Sequence, residues 1–437
     1  MRARTLLTTG SVAGVAVVGS LLWLAGLALV MVPTGGGPGA DDGTSGTAGL
    51  PYSGRGPYPV GVRTLPAPPS TEAPSPAAAP STEPPLTVWY PAVAPEPDRP
   101  TPRSVYPVAL EVGSGPLGTV ALATYEGSAA GRAEPDRSGG PYPLVVLSPG
   151  FAVNATAYGW LAEHLASYGP VVVGVDHRER LDPGRLWRAT VDRPGDVTAA
   201  IDAVEREAGE GGALDGLVDA TATAVIGHSY GGYTALAAAG ARIRPDELDP
   251  SCRQAAAAAD PVVFQCDHLL PHLDAMVELA GVSLGSDRSW PTLGDPRVDA
   301  AVALAGDAIM FGPSGLGHVT VPVLAIGGTD DRDSPFAWGT AYAYEHVSSE
   351  RRVAVGLDGA RHFAFAGPCE RTRAALVLVP AGFCTDPGWE RTDAHGVVAH
   401  FATSFLLAEL TGEEAAGEVL VGRPAMAKVT VRSMGYR

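Results

Sequence analysis

From Pro143 onward, short apolar runs alternate with amphipathic segments. The apolar runs predict strands over residues 144–147, 171–175, 223–226, 298–304, 321–326 and 351–357. Helical periodicity is present over residues 158–168, 192–208, 231–241 and 397–410. Such alternation predicts an α/β fold, with a mainly parallel central sheet and helices on both faces. Functional side chains are then expected at the carboxyl ends of the strands.

The N-terminal segment, residues 1–32, has the pattern of an export sequence. Arg2 and Arg4 precede an uncharged run over residues 5–32, which is long enough to cross about 30 Å of hydrocarbon as a helix. Positive charge before the run favours a cytoplasmic N-terminus. The segment is therefore interpreted as a transmembrane signal anchor or as a signal peptide. The folded part is expected to be attached to the cell membrane on its outer side, or secreted.

Composition divides the rest of the chain into a linker, a domain and a tail. Residues 33–55 are rich in Gly and Pro and predict a flexible tether. The strand–helix pattern occupies residues 56–412, and residues 413–437 are interpreted as a C-terminal tail. Residues 242–297 interrupt the alternation as an insertion, which is either a lid over the site or a surface excursion packed by its own apolar face.

The four cysteines fit two local disulfides, Cys252 with Cys266 and Cys369 with Cys384. Four cysteines allow three pairings, and buried free thiols are the alternative. Export favours disulfides, because they persist in oxidising compartments. No Cys-x-x-Cys is present, which disfavours a zinc site.

The segment Gly227-His228-Ser229-Tyr230-Gly231 carries the most specific chemical signal. It fits the Gly-x-Ser-x-Gly pattern, in which a serine lies on a sharp turn between a strand and a helix. A predicted buried strand runs directly into the motif, and a predicted helix of small residues runs directly out. This context predicts Ser229 as a nucleophile.

A serine hydroxyl needs a base, and His362 is the predicted one. Among serine nucleophiles on such turns, the acid follows the serine in the chain and the histidine comes last. His362 lies in the loop after the predicted strand 351–357. His346 precedes that strand, and His395 and His400 belong to the region of the closing helix.

The acid that orients the histidine has several candidates. The loop after the predicted strand 321–326 contains Asp330, Asp331 and Asp333, and Asp307 ends the preceding strand. A loop aspartate often serves only as a turn residue or a helix cap. The residues alone leave the choice open.

Backbone N–H groups are expected to stabilise the oxyanion of an acyl-transfer reaction. One donor is predicted at Tyr230, directly after the nucleophile. The other is predicted at Phe151, in the loop after the strand 144–147.

Several stretches together resemble the α/β-hydrolases of the dienelactone-hydrolase-like group, which includes platelet-activating-factor acetylhydrolases and bacterial polyester hydrolases or cutinases. The similar stretches are TVWYPA (87–92), PLVVLSPGF (143–151), LASYGPVVVGVDHRE (165–179), DRPGDVTAAID (192–202), GHSYGG (227–232), VPVLAIGGTDDRDSP (321–335) and RHFAFAGPC (361–369). The resemblance implies the α/β-hydrolase fold and a serine carboxylic-ester hydrolase that works through an acyl-enzyme.

The resemblance also separates the candidate acids. In this group the acid precedes a proline by four positions, which selects Asp331 before Pro335. Acetylhydrolase-like members place the acid after the earlier strand, where Asp307 is the alternative. The position of Ser229 holds a cysteine in true dienelactone hydrolases, and polyester hydrolases have a tryptophan at the position of Asp307.

The expected partner is a small-molecule or lipid ester, and no metal or organic cofactor is implied. The formal net charge of −17 repels phosphate backbones and disfavours a nucleic-acid partner. The narrower alternatives are an acetylhydrolase-like or a lipase/cutinase-like enzyme. A catalytically dead binding protein at the cell surface is the alternative from another class.

Overall fold

The computed structural model describes residues 47, 49–65, 86–95, 102–113, 118–177, 179–285, 288–372, 383–422 and 426–436. The predicted export segment, residues 1–32, lies outside them, as does most of the predicted tether. Within the described part of the chain, we find no helix with the length and apolar character needed to span a bilayer.

Twelve strands of the described residues form one sheet. In chain order they are β1 (Val60–Leu65), β2 (Leu86–Pro91), β3 (Arg103–Glu111), β4 (Thr119–Gly131), β5 (Tyr142–Ser148), β6 (Val171–Gly174), β7 (Val218–His228), β8 (Val298–Leu304), β9 (Val323–Gly328), β10 (Arg352–Leu357), β11 (Arg371–Thr372) and β12 (Val429–Met434).

The α-helices follow the same order along the chain. They are α1 (Gly159–Ala166), α2 (Leu186–Ala208), α3 (Tyr230–Ala238), α4 (Pro245–Ala257), α5 (Val263–Leu269), α6 (Leu273–Ala280), α7 (Gly312–Leu316), α8 (Thr340–His346), α9 (Arg391–Thr411) and α10 (Glu414–Val419).

The centre of the sheet is parallel, which confirms the predicted fold class. The strand order is β11-β4-β1-β2-β6-β5-β7-β8-β9-β10-β12, with β3 paired to β4. The run from β6 through β10 is parallel throughout. All seven residues of β5 are buried, as expected for a strand covered by helices on both faces. The carboxyl ends of these strands therefore meet at one edge.

Strands β3 and β4 were not among the predicted elements. Several of their side chains are exposed, and β4 includes Gly127 and Gly131, so their apolar pattern is weak. Neither strand is buried along its whole length, whereas β5 is.

The folded part extends beyond both expected boundaries of the domain. Leu50 is buried, and the Tyr52 hydroxyl donates to Glu413 over 3.1 Å, although both residues belong to segments interpreted as tether and tail. Strand β12 pairs antiparallel with β10 over its full length. The segment predicted as a C-terminal tail, residues 413–437, thus supplies an edge strand.

The described residues of the insertion, 242–285 and 288–297, include three α-helices. The insertion contains α4, α5 and α6. Leu248 of α4, Leu269 of α5 and Met276 of α6 belong to an apolar cluster shared with the helix α3. Its position brings α5 beside the carboxyl edge of the sheet, where the candidate site lies.

Candidate active site

Ser229 occupies a strained turn between β7 and α3. Its φ of 57° and ψ of −122° belong to a region that residues with a side chain rarely adopt. Ser229 is partly exposed, whereas His228 and Tyr230 on either side are buried. The turn therefore presents one hydroxyl at the carboxyl edge of the sheet.

Glycines permit this turn, because neighbouring backbone atoms occupy the space that a Cβ would need. A Cβ at Gly227 would lie 2.2 Å from the carbonyl oxygen of Gly231. A Cβ at Gly231 would lie 2.0 Å from the carbonyl oxygen of Ser148, and one at Gly232 would lie 2.4 Å from Gly306 Cα. Each glycine of the motif is thus required by close packing of backbone.

The structure brings His362 and Asp331 together at the ends of adjacent strands. His362 follows β10, Asp331 follows β9, and their Nδ1 and Oδ2 atoms are 2.8 Å apart. An ionised carboxylate only accepts, so Nδ1 carries the proton and Nε2 is left unprotonated in the neutral ring. The other oxygen of Asp331 accepts the N–H groups of Asp333 and Ser334, at 2.8 and 2.9 Å.

Two opposed effects act on the pKa of His362. Burial lowers the pKa, but the charge of Asp331 and its hydrogen bond, together with the charges of Asp333 and Asp307, outweigh burial and raise it to about 9. The carboxylates therefore stabilise the imidazolium that would form when this ring takes a proton.

Asp307 is in the same cavity but has different partners. Its Oδ1 accepts hydrogen bonds from Gln265 Nε2 and the Ser334 hydroxyl. Burial raises its pKa to about 6, against the opposing effects of Ser334 and His362. Of the two candidate acids, Asp331 has the hydrogen bond to His362 Nδ1. Asp330 and Asp333 are exposed.

The backbone N–H groups of Phe151 and Tyr230 donate no hydrogen bond within the described part of the chain. Tyr230 begins α3, whose first N–H groups have no partner within the helix. Phe151 lies in the loop after β5, and its ring meets the Tyr230 ring edge-on at 6.1 Å between centroids. Both residues line the cavity next to Ser229.

The cavity has a volume of about 420 Å³. Ser229, His362 and Asp307 line it, whereas Asp331 does not. Apolar side chains form one part of its wall: Phe151, Val153, Leu181, Leu186, Phe264, Phe363 and Phe383. Polar groups form another part: Gln265, Asp307, Arg332, Asp333 and Ser334. Phe264 and Gln265 come from α5, so the insertion supplies part of the wall.

Comparison with known proteins shows which families this chain is similar to. Residues 97–246 match the family model "PETase", described as PET hydrolase-like. The matched segment contains Phe151, Ser229 and Tyr230 but ends before Asp331 and His362. The chain has the α/β-hydrolase fold.

Individual proteins similar to this chain are named as cutinases and as a terephthalate-ester hydrolase. Cutinase est2 of Thermobifida alba is 32% identical over 22% of the chain and 29% of the relative. Cutinase 1 of Thermobifida cellulosilytica is 25% identical over 58% and 75%. Bis(hydroxyethyl) terephthalate hydrolase of Streptomyces coelicolor is 25% identical over 52% of each. The chain spans under a third of the first of these, and its similarities are to proteins named as cutinases and as a terephthalate-ester hydrolase.

His228 links three parts of this site. Its place in the motif does not predict this linkage. Its Nε2 is 3.0 Å from the carbonyl oxygen of His362, so Nε2 carries the proton. Its Nδ1 then accepts the Tyr158 hydroxyl at 2.7 Å, and Tyr158 Oη accepts the Gly150 N–H at 3.4 Å. Burial holds the pKa of His228 well below its usual value, which keeps the ring neutral.

Asp331, Asp333 and His362 are also grouped closely enough to share a metal ion. One ligand atom of each lies within 4.8 Å of the others. His362 Nδ1 is already bonded to Asp331, and Asp331 Oδ1 accepts two backbone N–H groups. The imidazole–carboxylate pair therefore accounts for the grouping.

Both predicted disulfides are confirmed, and each borders the cavity. Cys252–Cys266 joins α4 to α5 next to Gln265, and Cys369–Cys384 joins the segment after His362 to the start of the next described segment. Phe383, beside Cys384, packs on Phe363 with 4.9 Å between ring centroids.

Replacing Cys369 and Cys384 together with serine is expected to lower the free energy of unfolding by about 3 kcal/mol, because a loop of roughly 15 residues loses its constraint. The Cys252→Ser and Cys266→Ser pair is a matched control, since the two separations are 15 and 14 residues. Urea unfolding of both double variants measures the effect. A loss below about 1 kcal/mol in both would contradict the loop-closure argument.

Proposed function

We propose that the protein is a serine carboxylic-ester hydrolase that works through an acyl-enzyme outside the cytoplasm. Ser229 Oγ attacks the ester carbonyl, and His362 Nε2 takes the hydroxyl proton and gives it to the leaving alcohol. Asp331 orients His362 and stabilises its charged form. A water molecule, activated by His362 in the same way, then releases the acid.

The observation that carries this proposal is the conjunction of a strained serine turn and a bonded imidazole–carboxylate pair around one cavity. The N–H groups of Tyr230 and Phe151 are the proposed donors to the oxyanion. Among the described residues these N–H groups have no other partner, which supports this role, because a preorganised donor needs no rearrangement during the reaction.

The cavity wall favours an ester with an apolar acyl group of modest size. Leu181, Leu186 and Phe383 offer apolar contacts, and the volume of about 420 Å³ holds a small ligand rather than a folded partner. The relatives named for cutinase and terephthalate-ester hydrolysis support this class of ester substrate. We propose that the insertion closes this side of the site through Phe264.

Labelling and turnover together test the proposal. A fluorophosphonate probe should label Ser229, and p-nitrophenyl esters of rising acyl length should be hydrolysed with an optimum at short or medium chains. Mapping the labelled peptide by mass spectrometry identifies the serine. A folded protein that takes up no probe and hydrolyses none of the esters would support a binding protein on a dead scaffold.

The rate of ester hydrolysis is expected to rise with pH. The midpoint of the rise should lie above 6.5, the ordinary pKa of histidine, and near the raised pKa of about 9. The neutral imidazole is the base, and the raised pKa keeps it protonated to higher pH. A profile of kcat/KM against pH measures the midpoint.

Removal of one neighbouring charge checks the cause of this shift. Asp333→Asn should move the midpoint to lower pH, because the charge of Asp333 helps to raise the pKa of His362. Asp333 is exposed, so high salt should reduce the difference between variant and wild type. Asp330→Asn removes an equal charge from the same loop and serves as control. Equal shifts in both variants would point to general surface charge.

The proposed location rests on the N-terminal pattern and on the cysteines. Arg2, Arg4 and the uncharged run over residues 5–32 favour an anchor or a signal peptide, and paired cysteines suit an oxidising compartment. Protease added to intact cells should release the active domain. A soluble extracellular form would favour the signal peptide, and complete protection in the cytosol would refute export.

A further inference from the structure

The ion pair of Arg193 and Glu179 forms hydrogen bonds to the loop that contains the Phe151 N–H. Arg193, on α2, is 1% exposed and donates from Nη1 to the Pro149 carbonyl oxygen at 2.8 Å. Its Nη2 donates to the Gly150 carbonyl oxygen at 3.1 Å. Glu179, after β6, accepts the Ala152 N–H at 2.6 Å. Backbone groups on both sides of Phe151 are thus held by side chains from other elements.

Arg193 and Glu179 also hold each other. Arg193 Nε donates to Glu179 Oε2 at 3.0 Å, and Nη2 pairs with the other oxygen. The guanidinium carbon lies 5.4 Å from the centre of the Tyr230 ring, so the same cation contacts the residue with the second proposed donor. An ion pair this buried gives weak net stability compared with an apolar pair. The geometry of this ion pair, rather than its contribution to stability, therefore points to its function.

The bond to Gly150 fixes the direction of the Phe151 N–H. The Gly150 carbonyl and the Phe151 N–H belong to one peptide unit, which is trans. In a planar trans peptide the C=O and N–H bonds point in opposite directions. When Arg193 holds the carbonyl away from the cavity, the N–H must point toward it. Gly150 by itself has the backbone freedom to let this peptide rotate.

A second linkage from α2 supports the start of the loop. The Ser148 hydroxyl is 2.8 Å from His177 Nε2, and His177 Nδ1 is 2.7 Å from Asp196 Oδ2. Ser148 is 1% exposed and does not line the cavity, so this Ser–His–Asp chain has no access to a substrate. Its effect is to hold the end of β5 against α2.

We propose that Arg193 and Glu179 are positioning residues that orient the Gly150–Phe151 peptide for oxyanion stabilisation. This inference rests on the proposed function. The pair touches no reacting atom and acts through the direction of the Phe151 N–H. Its loss should therefore weaken binding of the tetrahedral oxyanion much more than binding of the ester itself.

Arg193→Met, Arg193→Lys and Glu179→Gln test the pair, with p-nitrophenyl butyrate as substrate. Arg193→Met should lower kcat by on the order of 10- to 100-fold with KM within about threefold, as expected for a misplaced oxyanion donor. The kcat of Arg193→Lys should lie between those of wild type and Arg193→Met, because one ammonium cannot bridge two carbonyls and a carboxylate. Affinity for a trifluoromethyl ketone, which forms a tetrahedral oxyanion on the serine, should fall in parallel with kcat.

Glu163→Gln is the matched control for a purely structural effect. Glu163 is a buried carboxylate that accepts the N–H groups of Ser128 and Ala129, both at 2.8 Å, and it does not line the cavity. This variant should lower the melting temperature but leave kcat within about twofold of wild type.

The outcomes separate the two proposals. If Arg193→Met keeps kcat and ketone affinity within about threefold of wild type while its melting temperature falls, the ion pair is structural and the inference is overturned. If Arg193→Met does not fold, Glu179→Gln decides in the same way, because it keeps an oxygen for the Ala152 N–H and removes the charge that holds Arg193. Full activity of Ser229→Ala would instead refute the proposed function.

Discussion

Ser229→Ala is expected to reduce kcat for ester hydrolysis by on the order of 10⁴- to 10⁶-fold. The change removes the only atom that forms the acyl bond and leaves the oxyanion donors in place. The φ of 57° is set by the surrounding backbone, so alanine tolerates it no worse than serine. The fold should therefore survive, and circular dichroism with a fluorophosphonate labelling assay checks both points.

Two further substitutions sharpen this test. Ser229→Gly should be equally inactive and should raise the melting temperature above that of Ser229→Ala, because glycine adopts a positive φ without strain. Ser349→Ala removes a buried hydroxyl near the start of β10, at the opposite end of the strand from His362, and should retain activity. Retention of more than about a tenth of wild-type activity by Ser229→Ala would remove Ser229 from the mechanism.

Asp331→Asn is expected to lower kcat by about 10⁴-fold, whereas Asp307→Asn should cost less than about tenfold. An amide at position 331 would offer its NH₂ to the ring, and His362 would then turn or adopt the wrong tautomer. Asp307 is hydrogen bonded to Gln265 and Ser334, so its removal changes the cavity wall rather than the bond to His362.

The two aspartates form their own matched pair, since both are 5% exposed. Rate–pH profiles of both variants add a second readout. Asp331→Asn should also abolish the alkaline displacement of the His362 midpoint, because Asp331 has the largest effect that raises that pKa. A silent Asp307→Asn enzyme together with a nearly normal Asp331→Asn enzyme would assign the acid to Asp307 and favour an acetylhydrolase-like reading.

The parts of the site that the sequence predicts are local ones. The turn at Ser229 could be recognised because strand, glycines and helix are contiguous in the chain. The loops after β9 and β10 follow from the parallel order of strands, which places Asp331 and His362 at one edge. Their assignment as acid and base stays a prediction, although their hydrogen bond agrees with it.

The parts that the sequence does not predict depend on contacts between distant segments. Arg193 appears in the sequence as one polar position of an amphipathic helix, and only the fold aligns it with the Gly150 carbonyl. His228 is likewise a variable position of the motif until Tyr158 and the His362 carbonyl surround it. Side-chain partners such as these lie 43 to 134 positions apart and leave no periodic pattern.

Strand β12 has a consequence for how the chain is synthesised. It is the neighbour of β10, the strand that leads to His362, yet it is translated after α9 and α10. While the ribosome is still adding those helices, β10 has an open edge that is able to pair with other chains. A series of C-terminal deletions should therefore lose soluble, active protein abruptly once the cut removes Val429–Met434, and should tolerate cuts beyond them.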